Sequence, residues 1–346
     1  MNSKTGDDMA PGKHLGAGMT RKAFFNAGMI RRLVLIGILI VMAAVFSTTT
    51  SGFLGLRNVA IMLRSSAYLG LIALGMSFVI IGGGIDLSAG GAVCLVSMLC
   101  VRFSTTGVPG ILVVLAGVFL GAVCGLINAL LITKVRLTEF VATLASGFAY
   151  TGLTLIVSFR DNGTITTVPI LNAGFKAFRG DIGGIYYMTI MWVILTAVMY
   201  LILTKTRFGL YTYSIGSHSK SAGMSGIKTD RIKAQGYLIC GACAGFAAVM
   251  QTAFVGSSSL IIGTGYEFMA IAACVVGGVV LGGGKGDVIS AFIGSLFLTM
   301  LLNGLFKYGL ATTWEYILQG AIIIVATSID AISMKIAGKR LRARVH

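Results

Sequence analysis

Runs of about twenty apolar residues recur along this chain, each long enough to cross a hydrocarbon core of roughly 30 Å as a helix. Lipid offers the backbone no hydrogen bonds, so segments of this length must satisfy their own peptide groups, and helices do so. The runs fall at 33–50, 60–82, 88–104, 110–133, 139–158, 185–204, 236–255, 267–283, 287–305 and 314–334. They predict an all-α, polytopic membrane protein of about ten transmembrane helices. Composition agrees: 56% of the 346 residues are apolar and 11% charged, against about a quarter charged in a soluble domain. Leu33 to Phe46, preceded by Arg31 and Arg32, is similar to a signal-peptide core. No small-x-small cleavage site follows and many further spans do, so it reads as an uncleaved first helix.

The net charge of +16 does not point to nucleic acid, because the basic residues sit at the ends and in alternate loops. One side takes the tail 1–32, Lys134 and Arg136, the 205–233 loop, Lys285, and Lys335 to Arg344. The other takes Arg57, Arg64, Arg102, Arg160, Lys176, Arg179 and Lys307. The richer side is expected to be cytoplasmic, with both termini there. The chain then divides into a flexible cytoplasmic tail 1–32, a membrane domain 33–334 and a basic cytoplasmic tail 335–346.

The 205–233 loop is the long polar interruption on the basic side. It carries Lys205, Arg207, Lys220, Lys228, Arg231 and Lys233 against one acid, Asp230. It reads either as a solvated connector or as short helices lying along the membrane surface that receive force from a soluble partner. Loop 159–184, on the other side, reads as a cover for an external mouth, a contact for an external donor protein, or a plain connector. Two glycine-rich phrases stand about 200 residues apart: FVIIGGGIDLSAGGAV at 78–93 and CVVGGVVLGGGKGDVI at 274–289. Each is an apolar half-span, a glycine cluster, an acid and a further helix. Paired broken segments point to a transport pathway; tight interhelical turns are the competing reading. The pathway reading selects Gly82, Gly83, Gly84, Asp86, Ser88, Gly282, Gly283 and Gly284. Asp86, Asp287 and Glu267 also suit helix capping. Asn128, Asn303, Gln251 and Gln319 suit interhelical bonds or a polar pathway. Gly117, Gly121 and Gly125, with Gly241 and Gly245, recur every fourth residue and mark close-packed helix faces.

Catalytic chemistry has no constellation here. His14, His218 and His346 lie outside the spans, and no zinc or nucleophile-elbow spacing appears. Gly282-Gly283-Gly284-Lys285-Gly286 departs from a phosphate loop at Val279 and Gly286, so no bound nucleotide, cofactor or metal is expected on this chain. The six cysteines lie in or beside spans and read as small apolar filler, the Cys240–Cys243 pair included.

Four phrases in order carry a family resemblance: GMSFVIIGGGIDLSAGG (75–91), TRFGLYTYSIG (206–216), AGMSGIKTDRIK (222–233) and GYEFMAIAACVVGGVVLGGGKGDV (265–288). Over most of 55–335 the chain resembles the ribose-type permease subunits of bacterial ATP-binding-cassette sugar importers, within the branched-chain amino acid/ribose permease superfamily. The resemblance implies a multi-pass protein of the bacterial cytoplasmic (inner) membrane with a type II importer-like fold. It implies two permease subunits forming a pore, two ABC ATPase subunits that carry the ATP, and a periplasmic or surface solute-binding protein. It places the ATPase coupling contact on Gly216, Ser217, His218, Ser219, Lys220, Ser221, Ala222, Gly223, Met224, Ser225, Gly226 and Ile227, and implies alternating access. The chain departs from the family where Ser217 to Ala222 bring Lys220 in place of acidic residues, and where Leu137-Thr138-Glu139 stands for a proline. Amino-acid import by the same fold and a secondary carrier working without ATP remain the competing readings.

Overall fold

The computed structural model describes residues 17–158, 167–170 and 172–309, and beyond them Trp314, Ile317, Gly320, Ala321, Ile324 and Ser328. The long helices are α1 (Ala17–Thr49), α2 (Leu56–Ile81), α4 (Gly110–Thr133), α5 (Glu139–Ser158), α7 (Tyr187–Lys205), α9 (Thr229–Val255) and α11 (Val288–Lys307). Each contains a stretch long and apolar enough to cross a membrane; two shorter apolar helices are α3 (Ala89–Ser104) and α10 (Tyr266–Gly277). The polar helix α8 (Arg207–Met224), the four-residue α6 (Ala173–Lys176) and a 3-10 turn (Ala177–Arg179) are the other helical elements among the described residues up to 309, and the isolated described residues at 314–328 are helical as well. The chain is thus an all-α polytopic membrane protein.

Three boundaries differ from expectation for local reasons. Helix α1 starts at Ala17, so the second half of the expected tail is helical. Helix α9 starts at Thr229, absorbing the end of the polar loop into a helix whose first turn holds Asp230. Helix α10 stops at Gly277 because Gly278 takes φ 106°, a left-handed cap that glycine adopts without strain. The expected run at 314–334 lies almost wholly outside the described residues.

The long–short–long order of α2, α3 and α4 recurs in α9, α10 and α11. Helices α2 and α9 run antiparallel: Gly75 of α2 meets Cys240 and Cys243, and Tyr237 of α9 reaches Gly84 just past the end of α2. The packing is exchanged between the sets, α3 and α4 leaning on α9 as α10 and α11 lean on α2. The two halves are therefore inverted relative to each other, a question sequence spacing left open.

The seam between α4 and α9 is made of glycine. A β-carbon on Gly121 would come within 2.6 Å of Gly245 Cα, and one on Gly241 within 2.7 Å of Gly125 N. Lipid tails supply no hydrophobic drive for helix pairing, so this backbone-to-backbone approach, with its dispersion contacts, holds the halves together. All six cysteines are free and buried, consistent with filler. At the end of the bundle where α7 begins, β1 (Val168–Pro169) pairs antiparallel with β4 (Ser257–Ser258). There too β2 (Asp181–Ile182) and β3 (Ile185–Tyr186) form a hairpin through Gly183 and Gly184, both at positive φ as a type I′ turn requires.

Candidate functional site

Helix α8 begins where the Thr206 hydroxyl accepts from Gly209 N–H at 3.3 Å, and it is not one straight rod. His218, at φ −158° and ψ 89°, leaves the helical region and divides it into two pieces. The first is held against the bundle by Thr212 and Ile215, both buried. The second shows Ser219, Lys220, Ser221, Gly223 and Met224 to the outside, Met224 being 77% exposed, while Ala222 is buried. Gly226 at φ 84° ends it, and Ile227 N–H returns to Ala222 O at 3.2 Å.

Gly216, two residues before the kink, meets both glycine-rich phrases. A β-carbon there would collide with Ile81 O and Gly284 N. Those two atoms are themselves hydrogen-bonded, Gly284 N–H donating to Ile81 O at 2.8 Å. A β-carbon on Gly283 would lie 2.8 Å from both Gly83 Cα and Gly216 O. Gly83, Gly283 and Gly284 all take positive φ (83°, 78°, 71°), so glycine is required by conformation as well as by space. At these glycines three segments far apart in sequence thus meet backbone to backbone. Gly82 lies close to Thr212, and Gly282 faces outward.

One acid fastens this junction and a second ties a separate knot nearby. Asp287 caps α11, accepting from Ser290 N–H at 2.8 Å, and pairs with Arg32 of α1. Tyr213 of α8 donates to Gly286 O at 2.7 Å, joining α8 to the same turn. Asp86 is 1% exposed. It accepts from Ser88 N–H (2.9 Å), Ser88 Oγ–H (2.7 Å) and Asn128 Nδ2 (3.3 Å). Asn128 also donates to Ser88 Oγ at 2.6 Å and accepts from Ser146 at 2.5 Å. The carboxylate therefore closes the turn before α3, whose N-cap position is Ser88, and ties it to α4 and α5; the capping reading describes Asp287 but not Asp86. Beside α8, Arg136 pairs with Asp230 at 2.9 Å and Lys233 with Glu139 at 2.6 Å, anchoring the α4–α5 turn to the start of α9. A cleft of about 560 Å³, lined among others by Tyr211, Gly226, Lys228 and Arg231, opens between α8 and α9.

The structure thus brings Gly83, Gly216, Gly283 and Gly284 together, sets Asp86 and Ser88 in a separate polar knot, and turns most of Ser217 to Gly226 outward. Sequence reasoning missed a third break, between α9 and α10, where Gly256, Gly263 and Gly265 all take positive φ. In helix order this break, not 278–287, is the counterpart of 82–88. Ser97 and Ser258 share a hydrogen bond of 2.6 Å across it, and Gly90 packs against Gly263 and Glu267. The run Gly256-Ser257-Ser258-Ser259 between apolar stretches was its legible signal.

Half-length helices bounded by glycine breaks, with a kinked polar helix seated on two of the breaks, are the architecture of a membrane permease. The chain belongs to the family described as branched-chain amino acid transport system / permease component, whose model matches residues 58–327. It is 38% identical to the ribose import permease protein RbsC of Bacillus subtilis over 84% of this chain and 90% of that one. It is 31% identical to the Escherichia coli K12 protein of the same name, over 90% and 96%. To the galactose/methyl galactoside import permease protein MglC of Escherichia coli K12 the identity is 32%, over 88% and 94%. No solved structure matches the chain significantly.

Proposed function

We propose that this chain is the membrane-spanning permease subunit of an ATP-binding-cassette importer that brings a sugar or sugar-like solute into the cytoplasm. Relatives named for ribose, allose and galactose support the solute class. One observation carries the mechanism: Gly216 of α8 lies against the hydrogen bond from Gly284 to Ile81. A push on Gly216 to Ile227 by a partner ATPase reaches both glycine turns without an intermediary, because packed backbone moves between discrete arrangements rather than yielding. ATP resides on that partner, and this chain binds no cofactor. In this reading the bilayer is crossed about ten times in a type II importer-like fold, with both termini and the tails 1–32 and 335–346 in the cytoplasm. The permease domain 33–334 pairs with a second permease subunit, embedded in lipid, and receives solute from a periplasmic or surface binding protein. Gly82, Gly83, Gly84, Asp86, Ser88, Gly282, Gly283 and Gly284 act as hinge and pathway positions.

The test is affinity purification from detergent with identification of co-purifying chains, followed by uptake of labelled D-ribose and D-galactose into proteoliposomes. A stoichiometric ATPase and ATP-dependent uptake support the proposal. A chain that purifies alone and moves sugar without ATP is a secondary carrier instead.

A further inference from the structure

Away from α8, a row of aromatic and polar side chains runs into the bundle from the β2–β3 hairpin. Tyr186 ends that hairpin, and its ring meets Phe254 of α9 edge-on, with centroids 5.3 Å apart. The Arg64 guanidinium lies 3.6 Å from the Phe254 centroid and 5.4 Å from that of Tyr186. One turn further along α2, Tyr68 stacks on Tyr266, the first residue of α10, at 5.4 Å. Gln251, one turn before Phe254 on α9, donates to the Tyr266 hydroxyl at 2.5 Å. Counting 1.5 Å per residue from Leu56, Arg64 lies about 12 Å and Tyr68 about 18 Å along α2, so the row reaches the middle of that 26-residue helix. It ends at the break between α9 and α10.

Three features set this row apart from ordinary helix packing. All six side chains are partly exposed, in a region where the neighbouring Thr252 and Ala253 are fully buried. Arg64 carries its charge well inside a span with no carboxylate paired to it among the described residues, and such a group needs a polar or watered surface. Gln251 Oε1, itself shut off from solvent, has no hydrogen-bond partner among the described residues. Flat ring faces alternating with a guanidinium, an amide and phenol hydroxyls match a solute with apolar C–H faces and a rim of hydroxyls. An α-amino acid would also need a counter-charge for its ammonium group, and the row itself holds no carboxylate.

We infer that Tyr186, Phe254, Arg64, Tyr68, Gln251 and Tyr266 form a contact track for a neutral polyhydroxyl solute, leading from the outer mouth to the break between α9 and α10. This rests on the sugar-importer reading above and adds where the permease itself touches the solute. Ring faces take the C–H side of a sugar while Arg64 and Gln251 exchange hydrogen bonds with its hydroxyls, so each rung holds weakly and passes the solute on.

The test uses the complete assembly of permease, ATPase and binding protein in proteoliposomes, with labelled D-ribose and D-galactose. Tyr68→Leu and Gln251→Leu are expected to lower initial uptake about tenfold, equivalent to about 1.4 kcal/mol. Tyr68→Phe, which keeps the ring, is expected to retain most of it, and all three variants should co-purify the ATPase at wild-type yield. A second measurement does not depend on turnover. In Gln251→Cys, a charged methanethiosulfonate added from outside should label the new thiol, the six native cysteines being buried, and D-ribose or D-galactose should slow the labelling. Wild-type uptake with unchanged uptake in Tyr68→Leu and Gln251→Leu overturns the track and leaves the importer reading standing. A wild type that moves neither sugar removes the reading and the solute assignment together. An unlabelled Gln251→Cys overturns the open track whatever the uptake shows.

Discussion

At residue scale, Gly216 and Asp86 show how little tolerance the breaks have. Gly216 has no room for a methyl group, since Ile81 O and Gly284 N occupy the space. Gly216→Ala is expected to destabilise the protein by about 1–3 kcal/mol, the usual cost of overpacking. Thermal unfolding in detergent reads this, and an unchanged midpoint would mean the three glycine segments are apart in solution. Asp86→Ala leaves three buried donor groups, from Ser88 and Asn128, without their acceptor. The expected loss is again about 1–3 kcal/mol, with Asp86→Asn milder because the amide oxygen still accepts. Asp287 was legible as a cap from its place before an apolar run, whereas Asp86, which suits a cap equally well in sequence, bonds the turn ahead of the Ser88 N-cap instead. That Asp86 is tied to Asn128 and Ser146 was not legible, because those partners come from helices 42 and 60 residues further along the chain.

At the scale of elements, α8 is two helices about one residue, His218, and the second displays Lys220 and Met224. Short helices are one of two sequence readings of this loop, beside a solvated connector, and the structure has two helical pieces here. It could not predict that the first piece would rest on both glycine phrases, since that contact is made by backbone and leaves no pattern in side-chain identity. Lys220→Glu reverses an exposed charge without touching the bundle, so it is expected to weaken ATPase co-purification while leaving thermal stability within about 0.5 kcal/mol. Equal ATPase recovery at low and high salt in that variant would remove the charge contact. Arg32 links α1 to the cap of α11, a role hidden in what reads as a topogenic arginine. Arg32→Gln is expected to leave the protein folded but to speed proteolysis of α1, as the helix loses its charged tie.

At the scale of the whole molecule, inversion of the halves rests on packing that can be trapped chemically. Ser97 and Ser258 hydroxyls lie 2.6 Å apart across the break between α9 and α10. The double variant Ser97→Cys with Ser258→Cys is expected to cross-link under mild oxidation, read as an intramolecular band shift after cleavage between the two positions. Failure to cross-link would place that break away from α3. The α4–α9 seam makes a complementary demand: Gly121→Leu should prevent close approach and abolish recovery of folded protein, whereas an outward-facing change such as Leu115→Ile should not.

Sequence alone determined the class of this protein and most of its helices, because length and apolarity in lipid admit one kind of backbone. It also marked the glycine faces at fourfold spacing and the two glycine phrases, since a repeated absence of side chains is visible in one dimension. Tertiary structure decided which glycine segments meet, which break is the counterpart of which, and that the halves run in opposite directions. Those relations join residues far apart in the chain, as in the hydrogen bond from Gly284 to Ile81. They depend on complementary surface shape and backbone hydrogen bonding, neither of which local periodicity encodes.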